Sequence, residues 1–453
     1  MRQKVKFIIS DLHLGAGPAQ PGDTCLEDFL ADQQLVSFLD DIRRESIEHH
    51  QEVELIINGD FFEFLQIPAI ESYDPATLYP AEAYLDSSPE ASVQRLNLII
   101  QGHPDVFAAL SDFMHVERPQ RRITIIKGNH DVNLFWPAVK SRLRETLGAS
   151  GARASLLLFA DEFVSREKIY VEHGHQRAEA INAYPDFFNP RSAENPTQLY
   201  YPVGSLFVIN VFSDLERERW FIDHVKPITT LIWYALQWDF DFAVRVLAGF
   251  IRQTSPQDSR SILDEVLPSP TDLFLQDLDN PDRRSELARQ YASDPAWRQQ
   301  FHQQIQPYLT LIHPNADSLT TDNPLALGQS DQARQDSLLL QAAAEIAERE
   351  GATIVLFGHT HRSRHIILNN GSVYINTGTW VADLTNASAE IWQGLFSGGL
   401  EARNTLIGFP YARIDYNEGD LPAAQLLYFG QKSETAANGI RASIKNWLAR
   451  VLK

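Results

Sequence analysis

The sequence predicts an α/β fold interrupted in mid-chain by a mostly helical insertion. Two observations predict it: short apolar runs alternate with longer segments of helical periodicity at both ends of the chain, and the character changes between them. Residues 5–9 are a short apolar run of strand length, followed by residues 27–47 with apolar positions at helical spacing. Strands are expected at 53–57 and 123–126, with a helix over 91–115 between them. A helix over 131–147 and short strands at 156–159 and 169–171 complete the first part. The pattern resumes with a helix at 333–349 and strands at 354–357, 364–368, 373–375, 406–415 and 425–429. Strand–helix–strand order of this kind implies layered packing, with right-handed crossovers wherever the strands are parallel.

Between the two parts, residues 199–253 are rich in Trp, Phe, Tyr and Ile, whereas 255–323 are polar and acidic. The expected organisation is a core in two parts, 1–184 and 336–430, with a helical insertion over 185–335. Residues 431–453 follow as a basic amphipathic helix, with Ile440, Ile444, Trp447, Leu448, Val451 and Leu452 on one face.

Composition narrows the function. The formal net charge of −20 over 453 residues disfavours nucleic-acid binding, because a phosphate backbone would be repelled. A small anionic substrate remains compatible where bound cations reverse the local sign. Cys25 is the single cysteine, so an internal disulfide is excluded and a reducing, cytoplasmic setting fits. A cysteine phosphatase needing an Arg six residues on is excluded by Ala31, and no Gly-Lys pair exists to make a P-loop. No apolar run reaches the roughly 20 residues a membrane span needs, and the N-terminus has no secretory signal pattern.

Five short segments sit just past the C-terminal ends of expected strands. They are Asp11-Leu12-His13, Gly59-Asp60, Gly128-Asn129-His130-Asp131, His173-Gly174-His175 and Gly358-His359-Thr360-His361. Ligands of open α/β sheets gather at the carboxyl ends of strands, so these tips can converge. Asp, Asn and His donors suit Mn first, with Fe or Zn as alternatives, and the lack of Cys ligands disfavours structural zinc. Two such ions about 3.5–4 Å apart can share a carboxylate and activate water for attack on phosphorus. Asp60, alone on its tip, is the natural bridge. His130, with Asp131 as its orienter, suits proton donation to the leaving oxygen.

In this order the five blocks resemble the calcineurin-like metallophosphoesterase superfamily, over about residues 4–184 and 351–428. The resemblance implies a four-layer α/β/β/α sandwich of two mixed sheets. It also implies one divalent ion on Asp11, His13, Asp60 and His361, and a second on Asp60, Asn129, His173 and His359. His130 would contact the phosphoryl group, and His175 would lie behind the ligands or face substrate. Ser10 to Gly15, Gly358 to Arg362 and Asn376-Thr377-Gly378 also resemble bacterial UDP-2,3-diacylglucosamine pyrophosphohydrolases. The chain departs from that group in having His130 where Arg is typical and in its far larger insertion.

The expected reaction is hydrolysis of a phosphomonoester, phosphodiester or pyrophosphate, on a small-molecule or lipid-linked substrate. The rival readings are a membrane-docked lipid-pyrophosphate hydrolase and an inactive scaffold of the same fold. The aromatic insertion is either a lid over a lipid-like group or a cap using those residues as its own core, the latter preferred. The C-terminal helix either lies on an anionic membrane surface or docks on protein. Arg362 either reaches a substrate phosphate or is a solvated surface residue.

Overall fold

The computed structural model describes residues 4–18, 26–75, 77–164, 167–254, 270–310, 323–384, 387–398, 407–416 and 422–430. Cys25 and the expected C-terminal helix lie outside the described residues. Eleven strands among those described are β1 (Lys4–Ile9), β2 (Glu52–Asn58), β3 (Arg121–Ile126), β4 (Leu157–Ala160), β5 (Phe163–Val164), β6 (Ile169–Val171), β7 (Ile354–Phe357), β8 (Arg364–Ile367), β9 (Val373–Asn376), β10 (Pro410–Tyr416) and β11 (Pro422–Tyr428). They form two mixed sheets, ordered β11-β10-β1-β2-β3-β4 and β5-β6-β7-β9-β8. β1 to β4 are mutually parallel, as are β6, β7 and β9, while β5, β8, β10 and β11 join antiparallel.

Alternation along each strand decides which layer each side chain serves. On β1, Phe7 and Ile9 belong to a cluster with Phe38 and Leu39 of the helix Asp32–Glu48. Ile8 between them points the other way, into a cluster with Ile56, Ile126, Ile169, Leu356 and Ile375 drawn from both sheets. On the far side, Tyr170, Val355 and Phe357 pack against Leu339, Ala343 and Ile346 of the helix Pro324–Glu350. The architecture is thus the four-layer α/β/β/α sandwich.

Several element boundaries differ from expectation, each for a local reason. The first helix begins at Asp32, not 27, because Glu27 turns its carboxylate onto the N–H groups of Gly15, Gly17 and Phe29. The expected helix over 91–115 is two helices, Pro89–Gly102 and Pro104–Phe113. Pro104 lacks the N–H a continuous helix needs and starts the second. The segment after Asp131 opens as a 3₁₀ turn, Val132–Phe135, before the helix Pro137–Thr146.

Between β6 and β7 the longer described helices are Ile228–Trp238, Phe240–Thr254, Pro270–Asp279, Pro281–Ser293 and Pro295–Leu309. The helix Pro324–Glu350 then runs unbroken through the boundary expected at 335. Phe207, Phe212, Phe221, Phe242 and Phe250 of this segment are buried in the same cluster as Phe7 and Phe38. The segment therefore shares a continuous apolar interior with the helical face of the first sheet. Burying five such rings contributes about 1.5–3 kcal/mol each.

Candidate metal centre

The tips of the parallel strands end flush, since Ile9 pairs with Ile57, Asn58 with Ile126 and Val171 with Leu356. Backbone bonds then tie tip to tip. Asp11 N–H donates to Gly59 O at 3.1 Å, Leu12 and His13 N–H to Asp60 O at 2.9 Å, and Gly358 N–H to His173 O at 2.8 Å. The two sheets are stitched at the same level: Asn58 Nδ2 donates to Glu172 O at 2.9 Å, and His359 N–H to the Asp11 carboxylate at 2.9 Å.

The seven expected ligands are all buried, none more than 4 % exposed. Five of them, Asp11, His13, Asp60, His359 and His361, have left-handed backbone with φ between 48° and 69°. Among the described residues only three other non-glycine residues do so. A non-glycine residue held there costs roughly 1–3 kcal/mol and persists where the surroundings demand it, typically at functional sites. Close approach is secured by glycine: a Cβ at Gly128 would lie 2.1 Å from Asp60 Oδ1, and one at Gly358 would lie 2.5 Å from Asp11 Oδ2.

The side chains meet in overlapping groups. Asp11, His13 and His361 offer ligand atoms within 4.8 Å of one another, as do Asp60, His173 and His359, and also His13, Asp60 and His130. The structure thus brings together three of the four residues expected around each ion. Asn129 Oδ1 is buried with no hydrogen-bond partner among the described residues.

Outer partners set the imidazole tautomers. His13 Nδ1 pairs with Glu63 Oε2 at 3.0 Å, so its Nε2 is left bare, 3.1 Å from His361 Nε2. His173 donates Nδ1–H to Asn58 O at 2.9 Å, leaving Nε2 to face Asp60 Oδ2 at 2.9 Å. His359 pairs through Nε2 with Glu179 Oε2 at 3.2 Å, and its Nδ1 has no hydrogen-bond partner among the described residues. A bare nitrogen against a carboxylate oxygen requires a cation between them, either a proton or a metal ion.

The titration behaviour says the same. Burial lowers His173 and His13, but Asp60 and Asp11 outweigh it at His173, and Glu63 and Asp60 at His13, so both are pushed up to about 9. Burial raises Asp60, yet His173 and His130 hold it well below the carboxylate range. Burial and the Asp60 charge push Asp131 up to about 7. So many buried carboxylates need positive charge nearby, which divalent ions supply. The donor set and the partnerless atoms fit two such ions.

Two expected roles need correction. Asp131 does not orient His130: its oxygens accept from the backbone N–H groups of Gly128 and Phe61, which shape the tips. The His130 ring bonds instead through Nδ1 to Glu63 Oε2 at 2.5 Å. Arg362 is neither solvated nor open to substrate. It is 2 % exposed, with Nε and Nη2 on Asp336, Nη1 on Lys226 O at 2.8 Å, and Nη2 also on Gln332 O and Gln335. Its guanidinium clamps the helix Pro324–Glu350 and the 226 region to the last strand tip.

His175 is buried behind His173, ring centroids 5.4 Å apart, and packs edge-on against Phe187. Burial, then His173 and His359, hold it well below the usual histidine range.

Sequence reasoning missed Glu63 and Glu179. Glu63 carried a signal: a lone carboxylate inside Phe61-Phe62-Glu63-Phe64-Leu65 is a charge in a buried run, and such charges have partners. Glu179 carried none.

No family model and no curated protein matches the chain. Among solved structures, one that it is similar to is a dimetal phosphatase from Danio rerio, at 12 % identity and a TM-score of 0.27, covering 83 % of this chain and 87 % of that one. A TM-score of 0.27 is too low for that likeness to bear on fold or chemistry, which rest on the geometry of the strand tips.

Proposed function

We propose that the chain is a binuclear metal-dependent phosphoesterase, hydrolysing a phosphomonoester, phosphodiester or pyrophosphate bond. The observation that carries this reading is the meeting of buried Asp and His ligands on strained strand tips, with bare imidazole nitrogens facing carboxylate oxygens. One ion would be held by Asp11, His13, Asp60 and His361, the other by Asp60, Asn129, His173 and His359. When bound, the ions supply Lewis acidity to the phosphoryl group and to the attacking water.

The chain's own residues do the rest. Glu63 fixes His130 through Nδ1, so Nε2 is the nitrogen left to hand a proton to the leaving oxygen. His130 and Asn129 line a cleft that Phe207, Val208 and Phe212 also line. Apolar walls exclude water and strengthen the electrostatics inside. They also favour a substrate with an apolar portion, so a lipid-linked phosphate is a second reading. No described helix is long and apolar enough to cross a membrane.

Elemental analysis after loading with Mn should give close to two equivalents per chain, with hydrolysis of p-nitrophenyl phosphate lost on chelation. A folded protein that holds none or one refutes the binuclear centre.

A further inference from the structure

Lys226 has no role in the chemistry described so far. Its backbone carbonyl is held by Arg362 Nη1 at 2.8 Å, which places it beside the tip that carries His359 and His361. The residue is half-buried and lines the cleft with Asn129 and His130. Among the described residues its ammonium has neither hydrogen bond nor ion pair, although Lys4, Lys6 and Lys127 each have a carboxylate partner. A partnerless cation held beside a metal centre is positioned for an anion that arrives with the substrate.

We infer that Lys226 binds the phosphoryl oxygens of the substrate in this cleft, and that it selects phosphomonoesters or terminal phosphates over phosphodiesters. This rests on the phosphoesterase reading and adds the substrate class. A monoester near neutral pH carries close to two charges on three free oxygens, a diester one charge on two. An added ammonium therefore gains about twice the Coulomb attraction from the monoester. Glu179 also lines the cleft, but its carboxylate is taken up by His359, Asn182 and Gln335, and the other lining residues, Val225 and Ile228 among them, offer no second cation to an extended diester.

The test compares wild type, Lys226→Gln and Lys226→Arg as Mn-loaded full chains. Inorganic phosphate binding is measured by calorimetry, and kinetics with p-nitrophenyl phosphate and bis(p-nitrophenyl) phosphate. Lys226→Gln should weaken phosphate binding and lower kcat/KM for the monoester by about 10–100-fold. The loss should fall mainly on KM, be smaller than about 3-fold for the diester, and be largely restored by Arg. Unchanged phosphate affinity in Lys226→Gln, or equal losses on both esters, overturns the inference. A wild type that binds Mn and phosphate but cleaves neither ester sinks the hydrolase reading instead, and phosphate affinity still judges Lys226.

Discussion

Glu63→Gln separates the charge of this side chain from its shape. A single oxygen, Glu63 Oε2, receives the Nδ1 atoms of both His13 and His130, at 3.0 and 2.5 Å, while Oε1 accepts from Leu65 N–H at 3.0 Å. Burial raises the Glu63 carboxyl, but His130 and His13 outweigh it and bring it down to about 2. Glutamine keeps the volume but carries no net charge, and its amide group cannot serve both rings and the backbone equally. Each bond to a charged group contributes about 1.5–3 kcal/mol, so weakening one costs about 10–100-fold in an equilibrium constant. That matches the usual loss on removing an outer partner of a histidine ligand. Metal affinity, read by competition against a chromogenic chelator, should fall by that factor at the ion His13 is proposed to hold, and kcat should fall with it. Thermal unfolding of the metal-free variant checks that it is folded. A folded Glu63→Gln protein with unaltered metal affinity and turnover would show that Glu63 only fills space.

The remaining predictions concern proton transfer, anchoring and pH. His130→Ala should keep both metals and lose roughly 10²–10⁴-fold in kcat, less with a p-nitrophenolate leaving group; metal loss on elemental analysis would make His130 a ligand. Arg362→Met should destabilise the fold by about 1–3 kcal/mol in urea unfolding, because the carbonyls of Lys226 and Gln332 and the Gln335 side chain lose their donor while Arg364 still pairs with Asp336. A raised KM at unchanged stability would return Arg362 to the substrate. His103 sits between Glu27 and Asp32; burial lowers it, but Glu27 and Asp32 outweigh that and push it up to about 10. Since this lies above its ordinary 6.5, the pairing stabilises fully below that value and is lost as pH rises through 10. His103→Gln should therefore be roughly 1–3 kcal/mol less stable than wild type at pH 6, the gap closing near pH 10.5; a gap constant across that range refutes the pairing.

What was legible in the sequence is what local chemistry determines. Apolar runs of strand length revealed β1, β2, β3, β6 and β7, and the ligands follow those strands within a few residues, so one short window holds both. Asn129 and His130 could be placed this way because β3 ends at Ile126. Glu179 could not, since the partners that bring it to the site, His359 and Gln335, lie more than 150 residues away, and only Asn182 is near it in sequence. Arg362 was misread for the same reason: its burial is created by a helix and a loop that no local pattern connects to it. The break at Pro104 was visible in the sequence and overridden by the periodicity on either side. Asp131 was assigned to its sequence neighbour, but geometry turns its carboxylate back onto the tips of β2 and β3.

The separation of β6 from β7 along the chain has a consequence for the order in which the protein is made. Five of the seven proposed ligands have been synthesised once His173 is reached, and the next, His359, comes 186 residues later (359 − 173). At about 5–20 residues per second the wait is on the order of 10–40 s. Through that interval β1 to β4 can pair, but β6 lacks its parallel partner and β1 lacks β10. The centre closes only when β7 docks beside β6 and His359 N–H reaches the Asp11 carboxylate. The helical segment between them is thus also a delay line, and its length sets how long the proposed half-site waits for β7.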